Sequence, residues 1–446
     1  MKLIFPDNFL WGASTASYQI EGGVNQDGRG ETIWDRFCRI PNKVLNNDNG
    51  NIACDHYNRY REDIAIMKQI GLQAYRFSIA WSRLFPHGHG KLNQQGMDFY
   101  SSLIDGLLEK DIKPVATLFH WDFPQALQDM GGWANRDTVY RFRDYSAAAV
   151  EKLGDRIKYW ITLNEPEIFT YFGHWYGRHA PGIKDLKTAL NTAHHLMLGH
   201  GETLLALRHM RNDLKCGISL ATNLTFPASS AKEDLRAAEI HHTAFNQWFY
   251  EPVFKGQYPA SGLDIFKSFL PDIHEKDMDV IKTPLDWLGI NNYSRHVIKY
   301  NADLPPVKGE TVVPDNAQVT DFNWEICPDI FYQTLKWVEE NYHPGEIYVT
   351  ENGASFADGP DKDKKIFDIR RINFLKQYIS AAHRAIQDGV PLKGYFQWSL
   401  MDNFEWAQGY SQRFGIVYID YKTRERIIKE SGHWYAKVIE VNGIEE

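Results

Sequence analysis

The chain is poor in cysteine, with four in 446 residues, at Cys38, Cys54, Cys216 and Cys327. They lie far apart and form no C-x-x-C pair. That argues against a disulfide framework and for reduced, buried thiols in a cytoplasmic protein. No apolar run reaches about 18 residues, so no membrane span is expected. The stretch Met1–Asp7 is too short and too soon acidic for a signal peptide. Positive charge is also short: 49 Lys and Arg against 57 Asp and Glu leave a net charge of −8, which removes the basic footprint that nucleic-acid binding needs. The run Asp358–Lys365 reads as a solvated turn. No Pro/Gly/Ser-rich linker or break in composition divides the chain, so residues 1–446 are expected to form a single domain.

Aromatic residues are abundant, at 14% of the chain with 14 Trp and 23 Tyr. They fit either a large core or a sugar-binding surface, because the C–H faces of a pyranose pack well on indole. The positions of the rings must decide between these.

Eight short runs rich in β-branched and aromatic residues read as strands. They lie near Leu10–Ala13, Ala74–Trp81, Pro114–His120, Tyr159–Glu165, Cys216–Asn223, Trp287–Tyr293, Ile347–Glu351 and Gly394–Leu400. Helical patterns fall between most of them, at Asp55–Ile70, Phe99–Leu108, Thr138–Leu153, Thr188–Met210, Asp329–Glu340 and Ile369–Gln387. Strand–helix alternation repeated to a count of eight predicts an α/β fold, the parallel (β/α)8 or TIM barrel, rather than an open sheet. The long segments Ala13–Cys54 and Tyr300–Trp324 are expected as loops over the barrel mouth.

A barrel of this kind assembles its active site at the C-terminal strand ends. The residues there are Gln19 after the first strand, Arg76 on the second, His120 and Trp121 after the third, and Asn164 and Glu165 on the fourth. Asn291 and Tyr293 follow the sixth, Glu351 ends the seventh, and Trp398, Glu405 and Trp406 belong to the eighth. Amides, an imidazole, a carboxylate and indole walls make a pocket for a polyol, with no phosphate cradle. Glu165 and Glu351, placed alike at two strand ends, are the minimum equipment for cleaving a glycosidic bond. The pairs His194-His195 and His241-His242, with His200, supply no convergent metal geometry. No metal and no cofactor are expected.

These segments carry a resemblance to glycoside hydrolase family 1, the β-glucosidase family. The matching motifs are Phe9-Leu10-Trp11-Gly12-Ala13, Ser17-Tyr18-Gln19-Ile20-Glu21-Gly22, Tyr75-Arg76-Phe77-Ser78 and His120-Trp121-Asp122. They continue with Thr162-Leu163-Asn164-Glu165-Pro166, Tyr348-Val349-Thr350-Glu351-Asn352-Gly353 and Trp398 through Trp406, and they span nearly the whole chain in family order. The resemblance implies a retaining hydrolase with Glu351 as nucleophile and Glu165 as acid/base, and with Arg76 and Tyr293 beside the nucleophile. It implies that Gln19, His120, Trp121, Asn164, Asn291, Trp398, Glu405, Trp406 and Phe414 line the sugar site, and that Trp324 is the platform for the leaving group.

The substrates implied are β-glucosides and cello-oligosaccharides, with glucose as product and with β-galactosides and β-fucosides tolerated, as in cellulose degradation. An anionic Glu405 would repel a 6-phosphorylated sugar. The phospho-glycosidase branch of the family carries Lys-x-Tyr where this chain has Gln412-Arg413-Phe414. Two departures from the family, Glu167 and Asn292, are expected at the entrance. A catalytically dead sugar-binding protein would lack one Glu, and both are present. Net transglycosylation shares the same intermediate and is not separable from sequence, and neither is the oligomeric state.

Overall fold

A computed structural model describes residues 2–445. Eight parallel strands close into a barrel. They are β1 (Leu10–Ser14), β2 (Ala74–Ser78), β3 (Lys113–Phe119), β4 (Tyr159–Asn164), β5 (Lys215–Ala221), β6 (Trp287–Asn291), β7 (Ile347–Asn352) and β8 (Leu392–Trp398). Each pairs with its neighbour in chain order, and β8 closes on β1 with Gly394 opposite Leu10 and Trp398 opposite Ser14. All eight expected strands are present, with ends shifted by a few residues. The largest shift is at Trp81, which begins a short helix, Trp81–Leu84, instead of ending β2.

The lower barrel is filled, not hollow. Leu10, Ala74, Val115, Ile161, Trp287, Tyr348 and Phe396 form one buried apolar cluster with a residue from every strand but β5. Strand β5 brings Gly217 to this level. A Cβ there would come within 2.4 Å of the Trp287 carbonyl and 2.9 Å of its indole, so the glycine leaves room for the largest residue in the plug. This packed floor confines any ligand to the upper end of the barrel.

The expected helices are present, with Leu186–Met210 the longest among the described residues. Its first turn is capped by Asp185, whose carboxylate accepts from the Thr188 N–H at 2.7 Å. Three further helices, Lys232–His242, Trp248–Lys255 and Glu430–Val441, were not evident in the sequence. Trp248–Lys255 carries Pro252 inside it and follows a π-turn, which breaks the period a sequence reading depends on.

The segment expected as a loop from Tyr300 to Trp324 contains a strand, Gly309–Val312. It pairs with His296–Tyr300, which in turn pairs with Thr225–Pro227 in a small side sheet. Strands of three to five residues with mixed burial leave little periodic signal. The stretch Ala13–Cys54 likewise holds two short helices, Ser17–Ile20 and Ile33–Phe37. Asp358–Lys365 is an exposed turn apart from half-buried Asp358. Three cysteines are buried as expected; Cys327 is half-buried, and all four are unpaired.

Candidate active site

Both strands that carry the paired carboxylates are irregular just before them. The β4–β5 register slips between Ile161 and Asn164, and the β6–β7 register slips between Val349 and Glu351. A bulge at a barrel rim re-aims a side chain. Glu165 itself has left-handed backbone (φ 46°), as do Trp121 (φ 74°) and Trp406 (φ 50°). Strain held at three residues of one rim is the pattern of a functional site. Glu165 N–H donates to Ser219 O at 2.8 Å, and Pro166 opens the short helix that follows, so the residue is fixed at a corner.

The two carboxylates meet different partners. Glu351 receives the Arg76 guanidinium on Oε1 at 2.5 Å and the Tyr293 hydroxyl on Oε2 at 2.7 Å. Arg76 is fully buried and also donates to Asn164 Oδ1 at 2.5 Å and Thr117 Oγ1 at 3.2 Å. Glu165 receives only an amide, Asn291 Nδ2, at 3.0 Å. Burial in the first place, and the Glu351 charge in the second, push the Glu165 carboxyl up to about 8. Desolvation outweighs the neighbouring charge. Glu165 is thus held protonated near neutral pH, while both oxygens of Glu351 accept hydrogen bonds, one of them from a cation.

Around this pair lies a ring of polar groups with unused capacity. Gln19 gives its amide hydrogens to Asn403 Oδ1 (3.0 Å) and Phe404 O (2.8 Å), which aligns its Oε1 as a free acceptor. Asn164 Nδ2 donates to His120 Nε2 at 3.1 Å, which leaves the proton of the neutral ring on Nδ1. Burial and the Arg76 charge depress the basicity of His120 well below the ordinary range, so the ring is neutral. Gln19 Oε1, His120 Nδ1 and Glu405 Oε2 are all buried without a hydrogen-bond partner among the described residues. Buried polar atoms are rarely left so. An amide acceptor, a ring N–H donor and a carboxyl on one rim suit the hydroxyls of a sugar.

The rings bound the same space. His120 lies parallel to Trp398 and Trp406 at 5.9 and 6.0 Å between centroids, and Trp406 packs 4.7 Å from both Trp121 and Trp34. Toward the opening, Trp324 sits 5.2 Å from Tyr293, 4.3 Å from Phe322 and 5.8 Å from Phe414. The aromatic excess therefore serves both the core and the site.

Several expectations gain detail or need correction. Asn291 and Trp121 were expected against the sugar; in the structure their side-chain donors meet protein groups. Asn291 Nδ2 donates to both Asn164 Oδ1 and Glu165 Oε1, at 3.0 Å each, and the Trp121 indole donates to Asn164 O at 2.9 Å. Both therefore position the acid strand end. Glu167 and Asn292, expected at the entrance, are each only 1% exposed. Asn292 faces away from the barrel axis and donates to Thr222 O at 2.7 Å. The period of two places it there, since Asn291 faces inward.

The Glu405 argument also changes. The residue is half-buried with Oε2 fully buried, and burial and the Glu351 charge push its carboxyl up. Repulsion of a phosphate by its charge is correspondingly weaker. What remains is the absence of a free cation at the following loop: Arg413 is tied to Asp402 at 2.7 Å, and Gln412 accepts from Ser355. The histidine pairs noted in the sequence have structural partners. His194 is held between Asp277 and Tyr258, His195 meets Trp133 O, His200 meets Thr162 Oγ1, His241 meets Thr225 Oγ1 and His242 meets Asn246. Asn403, which aligns Gln19, and Trp34, which backs Trp406, were not singled out in the sequence. Asn403 lay inside a motif already noted; Trp34 stood alone in a polar segment.

A barrel that ends in an unequal carboxylate pair under a polyol rim defines a glycoside-cleaving enzyme. The family model for glycosyl hydrolase family 1 matches residues 1–444, and the chain belongs to that family. It is 50% identical over 442 residues to the 1,4-beta-D-glucan glucohydrolase of Thermotoga neapolitana, covering 99% of both chains. A bifunctional beta-D-glucosidase/beta-D-fucosidase of Bifidobacterium breve is 39% identical over 460 residues, with 98% of this chain and 99% of that one covered. Among solved structures, the family 1 β-glucosidase of Thermotoga maritima superposes with a TM-score of 0.97 at 48% identity, covering all of both chains.

Proposed function

We propose that this chain is a retaining β-glucosidase that removes terminal β-glucosyl residues from β-glucosides and cello-oligosaccharides and releases glucose. The observation that carries the reading is the unequal pair. Glu351, ionised by Arg76 and Tyr293, attacks the anomeric carbon. Glu165 gives its proton to the departing oxygen, the C–O bond breaks, and a glycosyl ester forms on Glu351. Esterification removes the Glu351 charge and with it one of the causes that raise Glu165. Burial, the largest cause, stays, so Glu165 becomes more acidic but not an ordinary carboxylate. It then takes the proton of an incoming water, whose oxygen displaces Glu351 and restores its charge.

Gln19, His120, Asn164, Trp398, Glu405 and Trp406 hold the non-reducing sugar in this reading. The rim bears acceptors and a donor rather than one fixed pattern, which supports tolerance of either orientation at C4 and hence β-galactoside and β-fucoside cleavage. The named activities of the relatives point the same way, and they support a place in cellulose degradation. The pairing of Lys2–Ile4 with Gly443–Glu445 supports a single catalytic domain over residues 1–446. Among the described residues no helix is long and apolar enough to cross a membrane, and the unpaired thiols support a cytoplasmic location. The test is a panel of aryl β-glucoside, β-galactoside, β-fucoside, α-glucoside and 6-phospho-β-glucoside, with Glu351→Gly as the blank. Cleavage of the unphosphorylated β-sugars with retained configuration is expected; cleavage of the phosphorylated sugar alone would overturn the reading.

A further inference from the structure

Trp324 does not stand on the barrel. It stands on a hairpin that leans over the barrel, and the way that hairpin is fastened is unusual for a surface turn. Val319 and Glu325 form an antiparallel bridge, Ile326 N–H donates to Gln318 O at 2.7 Å, and Thr320 N–H donates to Trp324 O at 2.9 Å. These bonds shape the turn but do not attach it to anything.

The inner attachment is to the segment after β6. Arg295 Nε and Nη2 donate to Glu325 Oε2 and Oε1 at 2.7 and 2.9 Å, a two-pronged pair with side chains 24% and 14% exposed. Next to it, Ser294 Oγ donates to Glu325 O at 3.0 Å. Arg295 also lies 5.3 Å over the Phe226 ring, which fixes its plane. A fork–carboxylate pair of this kind fixes orientation as well as distance, unlike a single-point ion pair. The outer attachment is at Asp321, whose N–H donates to Ser355 O at 3.0 Å and whose carboxylate accepts from Ala357 N–H at 2.7 Å; its ion pair with Arg370 is more exposed (49% and 33%) and correspondingly weak.

The sequence order matters. Arg295 is two residues beyond Tyr293, whose hydroxyl holds Glu351 and whose ring lies 5.2 Å from Trp324. One short segment therefore fixes both the nucleophile's partner and the indole platform above it. We propose that Arg295 and Glu325 form a clamp that sets leaving-group affinity by fixing the Trp324 indole. They are positioning residues for the aglycone side and leave the chemistry at the anomeric carbon untouched. The proposal rests on the β-glucosidase reading above.

The experiment compares two substrates that share the glucosyl unit. Cellobiose uses the platform; β-glucosyl fluoride has no aglycone ring to place on it. Arg295→Met, Glu325→Gln and the double variant are measured on both. The expected result is a loss of kcat/KM on cellobiose of about tenfold, carried mainly by KM, with less than about twofold change on the fluoride. The double variant should be no worse than the poorer single one, because the two side chains act as one unit. Arg295→Lys, which keeps the charge but not the fork, should recover only part of the loss. Equal losses on both substrates, or no loss on cellobiose, would overturn the clamp. Wild-type protein inert on the fluoride would instead overturn the underlying reading.

Discussion

The ends of β4 and β7 differ in what surrounds the same side chain. Each delivers a buried glutamate after a register slip, at the same height of the barrel. At β7 both carboxylate oxygens are occupied by donors, one of them a permanent cation. At β4 one oxygen meets a neutral amide, and burial drives the group up to about 8. The chemistry each can do is therefore set by neighbours drawn from other strands: Arg76 on β2 and Tyr293 after β6 for one, Asn291 on β6 for the other. A nucleophile and an acid are made from one residue type by different surroundings: a guanidinium and a hydroxyl around one, burial beside a single amide for the other.

Removing the charged member breaks the contrast most completely. Glu351→Gly should lower hydrolysis by about 10⁴-fold or more while sugar binding persists. Added azide should then restore turnover and yield the α-glycosyl azide, read by product NMR. A β-azide product would reverse the two roles.

Removing the protonated member should do less, and unevenly. Glu165→Gln keeps the Asn291 contact but has no proton to give. We expect a loss of about 10²–10⁴-fold on substrates with poor leaving groups and a much smaller loss of kcat/KM on β-glucosyl fluoride, whose leaving group needs little protonation. The wild-type kcat/KM profile on poor substrates should fall as pH rises through about 8, because the acid must be protonated to act. That limb should vanish in the variant. A limb that survives would assign the titration to another group, with Glu405 the next candidate.

The contrast can also be blunted. Tyr293→Phe removes one of the two side chains that hold Glu351, so the nucleophile's carboxylate is less firmly oriented toward the anomeric carbon. A loss of about 10–100-fold in kcat is expected, the scale of a hydrogen bond to a charged group, read from steady-state rates on an aryl β-glucoside. An unchanged kcat would mean that Arg76 alone is enough to hold Glu351.

Much of this was legible in the sequence because a parallel barrel writes its site at strand ends. Eight apolar runs closed by turn residues located β1 to β8, and Arg76, His120, Asn164, Glu165, Glu351 and Trp398 followed from their places on them. What the sequence left unread is the direction of side chains once a strand has stopped. Asn292 lies one residue past β6 and turns outward to Thr222; Glu167 lies in the first turn of a helix and is buried. Nor does position along a strand show how a donor is spent, as the contacts of Asn291 and Trp121 illustrate. The side sheet at Thr225–Pro227, His296–Tyr300 and Gly309–Val312 escaped for a different reason: its strands are too short and too unevenly buried to impose a period.

The smallest effect of the same contrast falls on stability. Glu165 is held up to about 8 against an ordinary value of 4.5, so the folded chain binds that proton more tightly than the unfolded chain does. The stabilisation this brings is complete below the unfolded value and is lost as pH rises through the folded one. Near pH 9 the wild-type enzyme must hold a second anion beside Glu351 in a site built to keep it neutral. Glu165→Gln removes that titration and keeps the shape. Tm of enzyme and variant should therefore nearly coincide at pH 5, and the variant should lead by about 1–2 °C at pH 9, at matched scan rates. Glu405, pushed up by the same burial and the same neighbour, keeps titrating in both proteins, so the variant should retain part of the alkaline decline. Identical Tm profiles would mean that the fold does not hold the Glu165 proton, and that the difference between the two strand ends appears only once substrate is bound.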